Sequence, residues 1–316
     1  MPALPPLTIF LAEPRGFCAG VDRAIQIVEK ALLRFGSPIY VRHEIVHNQH
    51  VVADLEAKGA VFVEELDQVP NGGKVIFSAH GVPKSVPDEA NRRGLYFLDA
   101  TCPLVSKVHH EAQHLFQAGY FVLLIGHKGH PEVIGTMGQL PEGAVTLVQT
   151  VQDVHALDLP DVTQIAYVTQ TTLSVDETRD IAQALKAKFP QLIEPKKDDI
   201  CYATTNRQMA VKAIAPLVER MIVIGAENSS NSVRLVEVSK AYGCPQSKLY
   251  QDASHVDWRW LSGATTLGLS AGASAPEVLV EELIQACEMR YNVILKRITL
   301  GSENVRFNLP RVLEDS

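Results

Sequence analysis

Three cysteines of this sequence stand directly before segments with helical periodicity. Cys18 is followed by AGVDRAIQIVEKALLRFG and Cys102 by PLVSKVHHEAQHLFQAG, and each segment ends at a glycine that suits a helix C-terminus. Cys201 precedes a third such segment, in which Thr205 and Gln208 form the capping-box pattern of a helix start. Because a helix N-terminus carries partial positive charge and favours a thiolate, these cysteines could be ligands or nucleophiles.

The chain has five cysteines, an odd number without any C-x-x-C pair. This pattern favours neither a disulfide framework nor a zinc ribbon, and it fits a reducing compartment. Cys244 and Cys287 lie outside the helix junctions, and we interpret them as packing residues. Each of the other three could also be a small buried apolar residue, so the choice depends on what surrounds them.

The sequence repeats one order of elements three times, at intervals of roughly 100 residues. After each cysteine helix come an apolar strand with a polar loop, a second strand, and a third strand with another polar loop. Helical segments such as VVADLEAKG and TRDIAQALKAKF separate the strands, which predicts parallel sheets. We expect three α/β units, residues 1–101, 102–198 and 199–288, and a C-terminal tail, residues 289–316, that contains a strand and a loop.

The polar loops fall at matched positions after the cysteines. In the first loop these positions are His47, His130 and Ser229, each 28 or 29 residues after its cysteine. In the second loop they are His80, Thr171 and Ser274. Ligands of parallel sheets bind outside the carboxyl ends of the strands, where all these loops fall. If the three units pack around a pseudo-threefold axis, the thiolates and the loops converge on one central cavity.

Three converging thiolates leave three interpretations open. They could hold a cubane iron–sulfur cluster with one iron free of protein ligands, a zinc ion together with a histidine, or no metal. The imidazoles, hydroxyls and backbone N–H groups of the loops favour an anion such as a phosphate or diphosphate. Glu132 is the one carboxylate among them, and it could relay protons or only stabilise the first turn of its helix.

Composition narrows the class of protein. With 316 residues and 46% hydrophobic content the chain can bury sizeable cores, and its net charge of -7 argues against nucleic-acid binding. The N-terminus lacks the basic region of a signal peptide, and no apolar run reaches the roughly 18 residues of a membrane span. We therefore expect a soluble, cytoplasmic protein.

Nine motifs link these positions to a known family. They are GFCAGVDRAI, EIVHN, SAHGV, DATCPLVSKVH, GHKGHPEVIGTMGQ, TQTTLSVDET, DDICYATTNRQ, NSSNSVRL and AGASAPE. In this order they resemble the 4-hydroxy-3-methylbut-2-enyl diphosphate reductase family, also called LytB/IspH, whose members catalyse the last step of the non-mevalonate isoprenoid pathway. The match runs from about residue 9 to the ENVRFNLP segment near residue 310, which is almost the whole chain.

The resemblance implies a trefoil of three α/β domains with small parallel sheets around an oxygen-sensitive [4Fe-4S] cluster. It implies that Cys18, Cys102 and Cys201 hold the cluster. The implied reaction removes the allylic hydroxyl of (E)-4-hydroxy-3-methylbut-2-enyl diphosphate with two electrons and two protons, giving isopentenyl and dimethylallyl diphosphate. Glu132 matches the proton source and Thr171 the hydroxyl that positions the substrate alcohol.

Further residues match the family's substrate pocket. The positions that match the diphosphate site are His47, His80, His130, Ser229, Ser230, Asn231 and Ser274, with Thr204 and Asn228 as further pocket residues. His130 is also linked to proton delivery. The family expectation for the electron donor is a ferredoxin or flavodoxin with its NADPH-dependent reductase, and residues 229–232 are expected to take part in closure over the substrate.

Two rival classes share some of these features. Quinolinate synthase has three pseudo-repeated α/β domains and a three-cysteine cluster, but it lacks the motifs above. An iron–sulfur sensor would carry an additional recognition element, such as a basic helix, and the sequence shows none.

Overall fold

The computed structural model describes residues 4–159 and 164–314. Residues 1–3 of the expected first unit, 160–163 of the second and 315–316 of the tail lie outside the described residues. The described strands are β1 Pro6–Glu13, β2 Ile39–Arg42, β3 Ala60–Val63, β4 Lys74–Phe77, β5 Tyr96–Asp99, β6 Phe121–Ile125, β7 Val145–Val148, β8 Ile165–Thr169, β9 Arg220–Ile224, β10 Ser247–Tyr250, β11 Thr266–Ala271 and β12 Asn292–Thr299.

The α-helices within the same residues lie between most of these strands. They are α1 Ala19–Phe35, α2 Gln49–Ala57, α3 Ser85–Arg92, α4 Pro103–Gln117, α5 Pro131–Met137, α6 Val151–Ala156, α7 Val175–Lys188, α8 Tyr202–Ile214, α9 Ser230–Ala241, α10 Trp258–Leu261 and α11 Glu277–Glu288. No helix of the described residues is both long and apolar enough to span a membrane.

The strands form three parallel sheets, with the orders β3-β2-β4-β5, β7-β6-β8 and β10-β9-β11-β1-β12. This confirms the predicted α/β class with parallel sheets. The described chain divides into two compact units. Of the described residues, the first unit comprises 4–19, 47–51 and 202–306, and the second comprises 20–46, 52–159, 164–201 and 307–314.

The sheet of the first unit is covered on both faces, as its continuous apolar strands require. On one face, side chains of β1 and β11 pack with Leu279, Val280 and Leu283 of α11. On the other face, side chains of β9 pack with Val211 of α8 and Leu235 of α9. In the second unit, α7 covers one face of the three-stranded sheet and α4 the other, while α3 packs against the four-stranded sheet.

The three sheets share one local plan. The first strand after a cysteine is central (β2, β6 or β9), and the second and third strands flank it. A further segment beside the third strand then leads into a cysteine: β5 leads to Cys102 and β1 leads to Cys18. In the sheet of β6, this place is taken by Ile193, which forms a parallel bridge with Ala166 of β8 and precedes Cys201.

This plan shows where two segments of the sequence-based division pair. The chain begins with β1, which the division places in residues 1–101, but β1 pairs with β11 and β12 in the sheet of β9. Its apolar run is thereby covered on both edges and both faces. The predicted tail strand is β12, which pairs with β1 in parallel over Asn292–Thr299.

The helix starts follow the cysteines closely. Helices α1 and α4 begin and end where the sequence predicted, and Pro103 occupies the first turn of α4. Helix α8 corrects one expectation: it begins at Tyr202, so Thr205 and Gln208 lie inside it and do not cap it. Gln208 is buried, which shows that the capping-box pattern arose from a packing residue.

Candidate functional site

The three cysteines at the helix starts have equivalent backbone surroundings. All three are partly exposed. Each backbone N–H donates to a carbonyl oxygen in the loop after the third strand of a sheet: Cys18 to Ala273 (3.3 Å), Cys102 to Ala79 (2.9 Å) and Cys201 to Thr171 (3.0 Å). The same hydrogen bond thus attaches each of these three cysteines to one of the polar loops that the sequence singled out.

Tyr202 adds a contact that the sequence did not predict. Its hydroxyl oxygen accepts a hydrogen bond from the backbone N–H of Ala19 at 3.2 Å. Ala19 follows Cys18 and Tyr202 follows Cys201, so the bond joins the neighbours of two cysteines. Burial raises the pKa of Tyr202 to about 12, and the hydroxyl therefore stays neutral at physiological pH.

Glu132 lies in the first turn of α5 and is only 2% exposed. One carboxylate oxygen accepts the backbone N–H of Thr171 at 2.6 Å, and the other accepts the Thr171 hydroxyl at 3.0 Å. Burial raises the pKa of Glu132 to about 7, although the two hydrogen bonds from Thr171 act in the opposite direction. The side chain is therefore a carboxyl group that can hold or release a proton near neutral pH.

His130 precedes α5 and is its N-terminal cap. Its Nδ1 accepts the backbone N–H of Glu132 at 3.1 Å, so in the neutral ring the proton resides on Nε2. The ring of His80 lies edge-on to that of His130, with 6.0 Å between the ring centroids. Ser78 Oγ lies 3.3 Å from His80 Nδ1. The second unit thus places two imidazoles beside the Glu132–Thr171 pair.

The first unit brings together a second set of predicted residues. Ser229 caps α9 through a hydrogen bond from the backbone N–H of Ser232, as expected for a serine before a helix. Ser274 Oγ donates to the carbonyl oxygen of His47 at 2.9 Å and lies 3.4 Å from Ser229 Oγ. Hydroxyls and helix N–H groups therefore gather at one end of α9.

Asn231 connects this set to the loop that holds Cys18. Its Oδ1 accepts the backbone N–H of Ala273 at 2.9 Å, and its Nδ2 donates to Thr204 Oγ1 at 3.3 Å. Ala273 is also the residue whose carbonyl accepts the N–H of Cys18. Asn228 and Ser230 flank Ser229 at the start of α9. Five of the predicted residues of the first unit therefore belong to one hydrogen-bonded region, namely His47, Thr204, Ser229, Asn231 and Ser274.

The sequence interpretation missed Asn48 and Asp199 as well as Tyr202. Asn48 Oδ1 accepts the backbone N–H of Val51 at the start of α2, next to the predicted His47. The Asp199 carboxylate is buried, and one of its oxygens accepts the backbone N–H of Thr169 at 3.0 Å. The sequence offered one signal for Asp199, because an aspartate shortly before a cysteine occurs twice: Asp99 precedes Cys102 by three residues, and Asp199 precedes Cys201 by two.

The donor set suits a soft metal group bound through sulfur. Three thiols whose backbone N–H groups are hydrogen-bonded stand directly before helices, and sulfur ligands suit soft metals. Within residues 4–159 and 164–314, no three His, Cys, Asp or Glu side chains are close enough to hold a single metal ion.

Comparisons with known proteins agree with one family. The family model described as LytB protein matches residues 9–288. The chain is 61% identical to 4-hydroxy-3-methylbut-2-enyl diphosphate reductase of Hyphomonas neptunium over 99% of both chains. It is 60% identical to the protein of the same name from Ruegeria pomeroyi over 98% of both chains.

Solved structures of similar proteins share the fold. The structure of E-1-hydroxy-2-methyl-but-2-enyl-4-diphosphate reductase from Plasmodium falciparum matches with a TM-score of 0.93 and 38% identity, over 98% of this chain and 97% of that one. A second structure, of the terminal enzyme of the non-mevalonate pathway, matches with a TM-score of 0.64 and 34% identity, over 90% of this chain and 99% of that one. The resemblance predicted from the motifs is confirmed, and the chain belongs to the LytB protein family.

Proposed function

We propose that this chain reduces (E)-4-hydroxy-3-methylbut-2-enyl diphosphate to isopentenyl and dimethylallyl diphosphate. The reaction breaks the allylic C–O bond, consumes two electrons and two protons, and releases water. The names of the relatives support the substrate and the pathway. The observation that carries the chemistry is the buried Glu132 bonded to Thr171, whose carbonyl accepts the N–H of Cys201. The rival class of quinolinate synthases is set aside, because the relatives are reductases of the LytB family.

The cofactor follows from the family and the cysteines together. Members of this family are iron–sulfur enzymes, and we propose a [4Fe-4S] cluster held by Cys18, Cys102 and Cys201. The equivalent backbone hydrogen bonds of the three residues support one shared role. When bound, such a cluster supplies electrons and one Lewis-acidic iron without a protein ligand.

The diphosphate is proposed to bind to the hydroxyl, amide and imidazole groups of the polar loops. The start of α9 is suited to an anion, because the dipole of a helix places partial positive charge at its N-terminus. The proposed binding residues are His47, His80, His130, Thr204, Asn228, Ser229, Ser230, Asn231 and Ser274. Holding the diphosphate fixes the allylic end of the substrate relative to the reacting groups.

Glu132 and Thr171 are proposed to deliver a proton to the departing hydroxyl. Protonated Glu132 can donate to Thr171 Oγ1, and the Thr171 hydroxyl can in turn donate to the substrate oxygen. His130, protonated on Nε2 when neutral, can donate to the diphosphate. Its Nδ1 fixes the backbone of Glu132 at the same time.

The first experiment measures iron and sulfide in protein purified without oxygen, and records Mössbauer spectra with and without the substrate. We expect four irons per chain, one of which changes its spectrum when the substrate is added. Zinc in place of iron, or iron that does not respond to the substrate, would contradict the proposal.

The pH profile tests the role of Glu132. Because its pKa is raised to about 7 and the protonated form is the donor, kcat should fall about tenfold per pH unit above that value. We expect the profile in kcat to show this descending limb between pH 7 and 9, while the Glu132→Gln variant shows a flat residual rate. A wild-type kcat that is constant across this range would contradict the assignment.

Gly272 permits the close packing at the start of α9. A Cβ added there would lie 3.0 Å from Ser232 Cβ and 3.3 Å from Ser232 Cα, so the helix start would have to move. We expect Gly272→Ala to raise KM for the substrate at least tenfold and to change kcat less. Gly301→Ala is the matched control, because nothing lies within 4 Å of its added Cβ. Equal KM values for the two variants would show that the α9 start does not bind the diphosphate.

The electron donor is proposed to be a ferredoxin or flavodoxin with its NADPH-dependent reductase, and the cytoplasm is the proposed location. Turnover with each purified protein as sole donor, compared with dithionite and a viologen, tests the donor. A donor that supports no turnover, in a preparation that is active with the viologen, is excluded.

A further inference from the structure

Each of the three helices that follow a cysteine carries a cation near its start. Arg23 and Lys107 lie five residues after Cys18 and Cys102, and Arg207 lies six residues after Cys201. Each of the three side chains donates hydrogen bonds to backbone carbonyl oxygens. For each cation, at least two of the accepting carbonyls lie in the segment directly before a cysteine, and that cysteine is not the one that precedes the cation's own helix. Two further accepting carbonyls lie elsewhere, namely Asn308 for Arg23 and Ala203 for Arg207.

Arg23 lies on the helix that follows Cys18 and is hydrogen-bonded to the segment before Cys102. Its Nη1 donates to the carbonyl oxygens of Thr101 at 3.1 Å and Ala100 at 3.4 Å. Its Nε donates to the carbonyl of Asn308 in the C-terminal tail at 2.8 Å. Burial lowers the pKa of Arg23, while the nearby Asp99 and Cys102 favour its charged form.

Lys107 lies on the helix that follows Cys102 and is hydrogen-bonded to the segment before Cys201. Its Nζ donates to the carbonyl oxygens of Lys197 and Asp198, both at 3.2 Å, and to Asp199 Oδ1 at 3.1 Å. The side chain of Asp199 is fully buried, and its other oxygen accepts the N–H of Thr169 at the end of β8. The chain before Cys201 is thus tied to both α4 and β8.

Arg207 lies on the helix that follows Cys201 and is hydrogen-bonded to the segment before Cys18. It is fully buried and donates to the carbonyl of Gly16 through Nε (2.9 Å) and Nη2 (2.7 Å), and to that of Phe17 at 3.0 Å. Its Nη1 is paired with the carboxylate of Glu303 in the C-terminal tail at 3.0 Å. A buried guanidinium requires such complete pairing, because an unpaired charge away from water is very costly.

We propose that Arg23, Lys107 and Arg207 are positioning residues, each of which fixes the backbone before one cysteine ligand. The order is cyclic: the helix after Cys18 fixes the segment before Cys102, the helix after Cys102 fixes the segment before Cys201, and the helix after Cys201 fixes the segment before Cys18. The inference rests on the proposed cluster. A cluster held by three thiolates needs three sulfurs at fixed separations, and the segments before them have no regular secondary structure of their own. The cations provide the missing constraint and place a positive charge beside each segment, which favours the reduced and more negative state of the cluster.

The proposal makes a directional prediction. Lys107→Met should speed amide hydrogen exchange about tenfold in the segment before Cys201 and leave the segment before its own Cys102 unchanged. Arg23→Gln should do the same for the segment before Cys102, not Cys18. Lys107→Arg and Arg23→Lys should restore slow exchange, since they keep the donor and the charge. These measurements are made on the iron-free chain and do not depend on the cluster.

A second readout uses the cluster-loaded chain. We expect Lys107→Met to lower the ratio of reduced to oxidised cluster at fixed potential about tenfold, equivalent to about 59 mV for one electron. Lys240→Met is the matched control, because Lys240 is exposed in the last turn of α9 and its replacement changes the net charge equally. Exchange that is faster only beside the variant's own cysteine, or equal potential shifts in Lys107→Met and Lys240→Met, would overturn the proposal. A wild-type chain without iron would instead refute the proposed function and leave the exchange result standing.

Discussion

Glu132→Gln is expected to lower kcat by two to four orders of magnitude, the range for loss of a general acid. The amide can keep the hydrogen bond that the carboxylate accepts from the backbone N–H of Thr171, so the fold of the site is retained. The amide is not acidic and cannot transfer a proton at neutral pH, so the chemical step should slow. Because the fold of the site is retained, KM should change little. Single-turnover rates with a reduced cluster, at matched iron content, measure the chemical step directly.

The control for this prediction is Glu142→Gln, because Glu142 is exposed in the loop between α5 and β7.

Loss of activity through unfolding can be distinguished from loss of the proton donor by the pH dependence of stability. The pKa of Glu132 is raised by burial from its usual 4.5 to about 7, so the stability that this shift contributes is present below pH 4.5 and is lost as the pH rises through 7. The glutamine variant lacks this loss and should be at least as stable as the wild type at pH 8. A variant that turns over at the wild-type rate would exclude Glu132 as the proton source.

Serine in place of any one of Cys18, Cys102 or Cys201 is expected to abolish turnover and to prevent assembly of a complete cluster. A serine hydroxyl is a harder and less acidic ligand than a thiol, so it does not replace a thiolate on iron. Each variant should lose the broad visible absorption of the cluster and bind fewer than four irons. Iron and sulfide analysis together with visible and electron paramagnetic resonance spectra measure this loss.

Cys244→Ala and Cys287→Ala are the matched controls. Both side chains are fully buried, and burial raises the pKa of Cys287 to about 12, so this thiol stays neutral. These variants should retain four irons and lose about 1 kcal/mol of stability, the cost of a small cavity. Iron loss in a control as large as in Cys102→Ser would mean that the cysteines at the helix starts have no special role.

Most of the candidate site could be predicted because its signals are local in sequence. The cysteine, the helix that follows it and the polar loops repeat at fixed spacing, and the structure places each loop at the end of a strand. The strands of all three sheets were also predictable as parallel, because helical segments separate them. Ser229 is a helix cap, which a serine directly before a helix start indicates, whereas the capping role of His130 is not signalled by its residue type.

The remaining features depend on contacts between distant parts of the chain. The pairing of β1 with β12 joins residues nearly 300 positions apart, and no local pattern specifies it. Tyr202 and Arg207 lie in a segment that reads as an ordinary helix, yet their partners are Ala19 and Gly16. The raised pKa of Glu132 results from burial, which sequence spacing does not report.

The position of β1 also determines when the site can form during protein synthesis. β1 leads directly to Cys18, but its neighbours β11 and β12 are synthesised only after all the strands of the other two sheets. The other two sheets consist of contiguous stretches of chain and can pair while translation continues. The Cys18 segment can take its final place only when residues up to Thr299 have been synthesised, so any group that Cys18 holds can be bound there only after the strands of the other two sheets are complete.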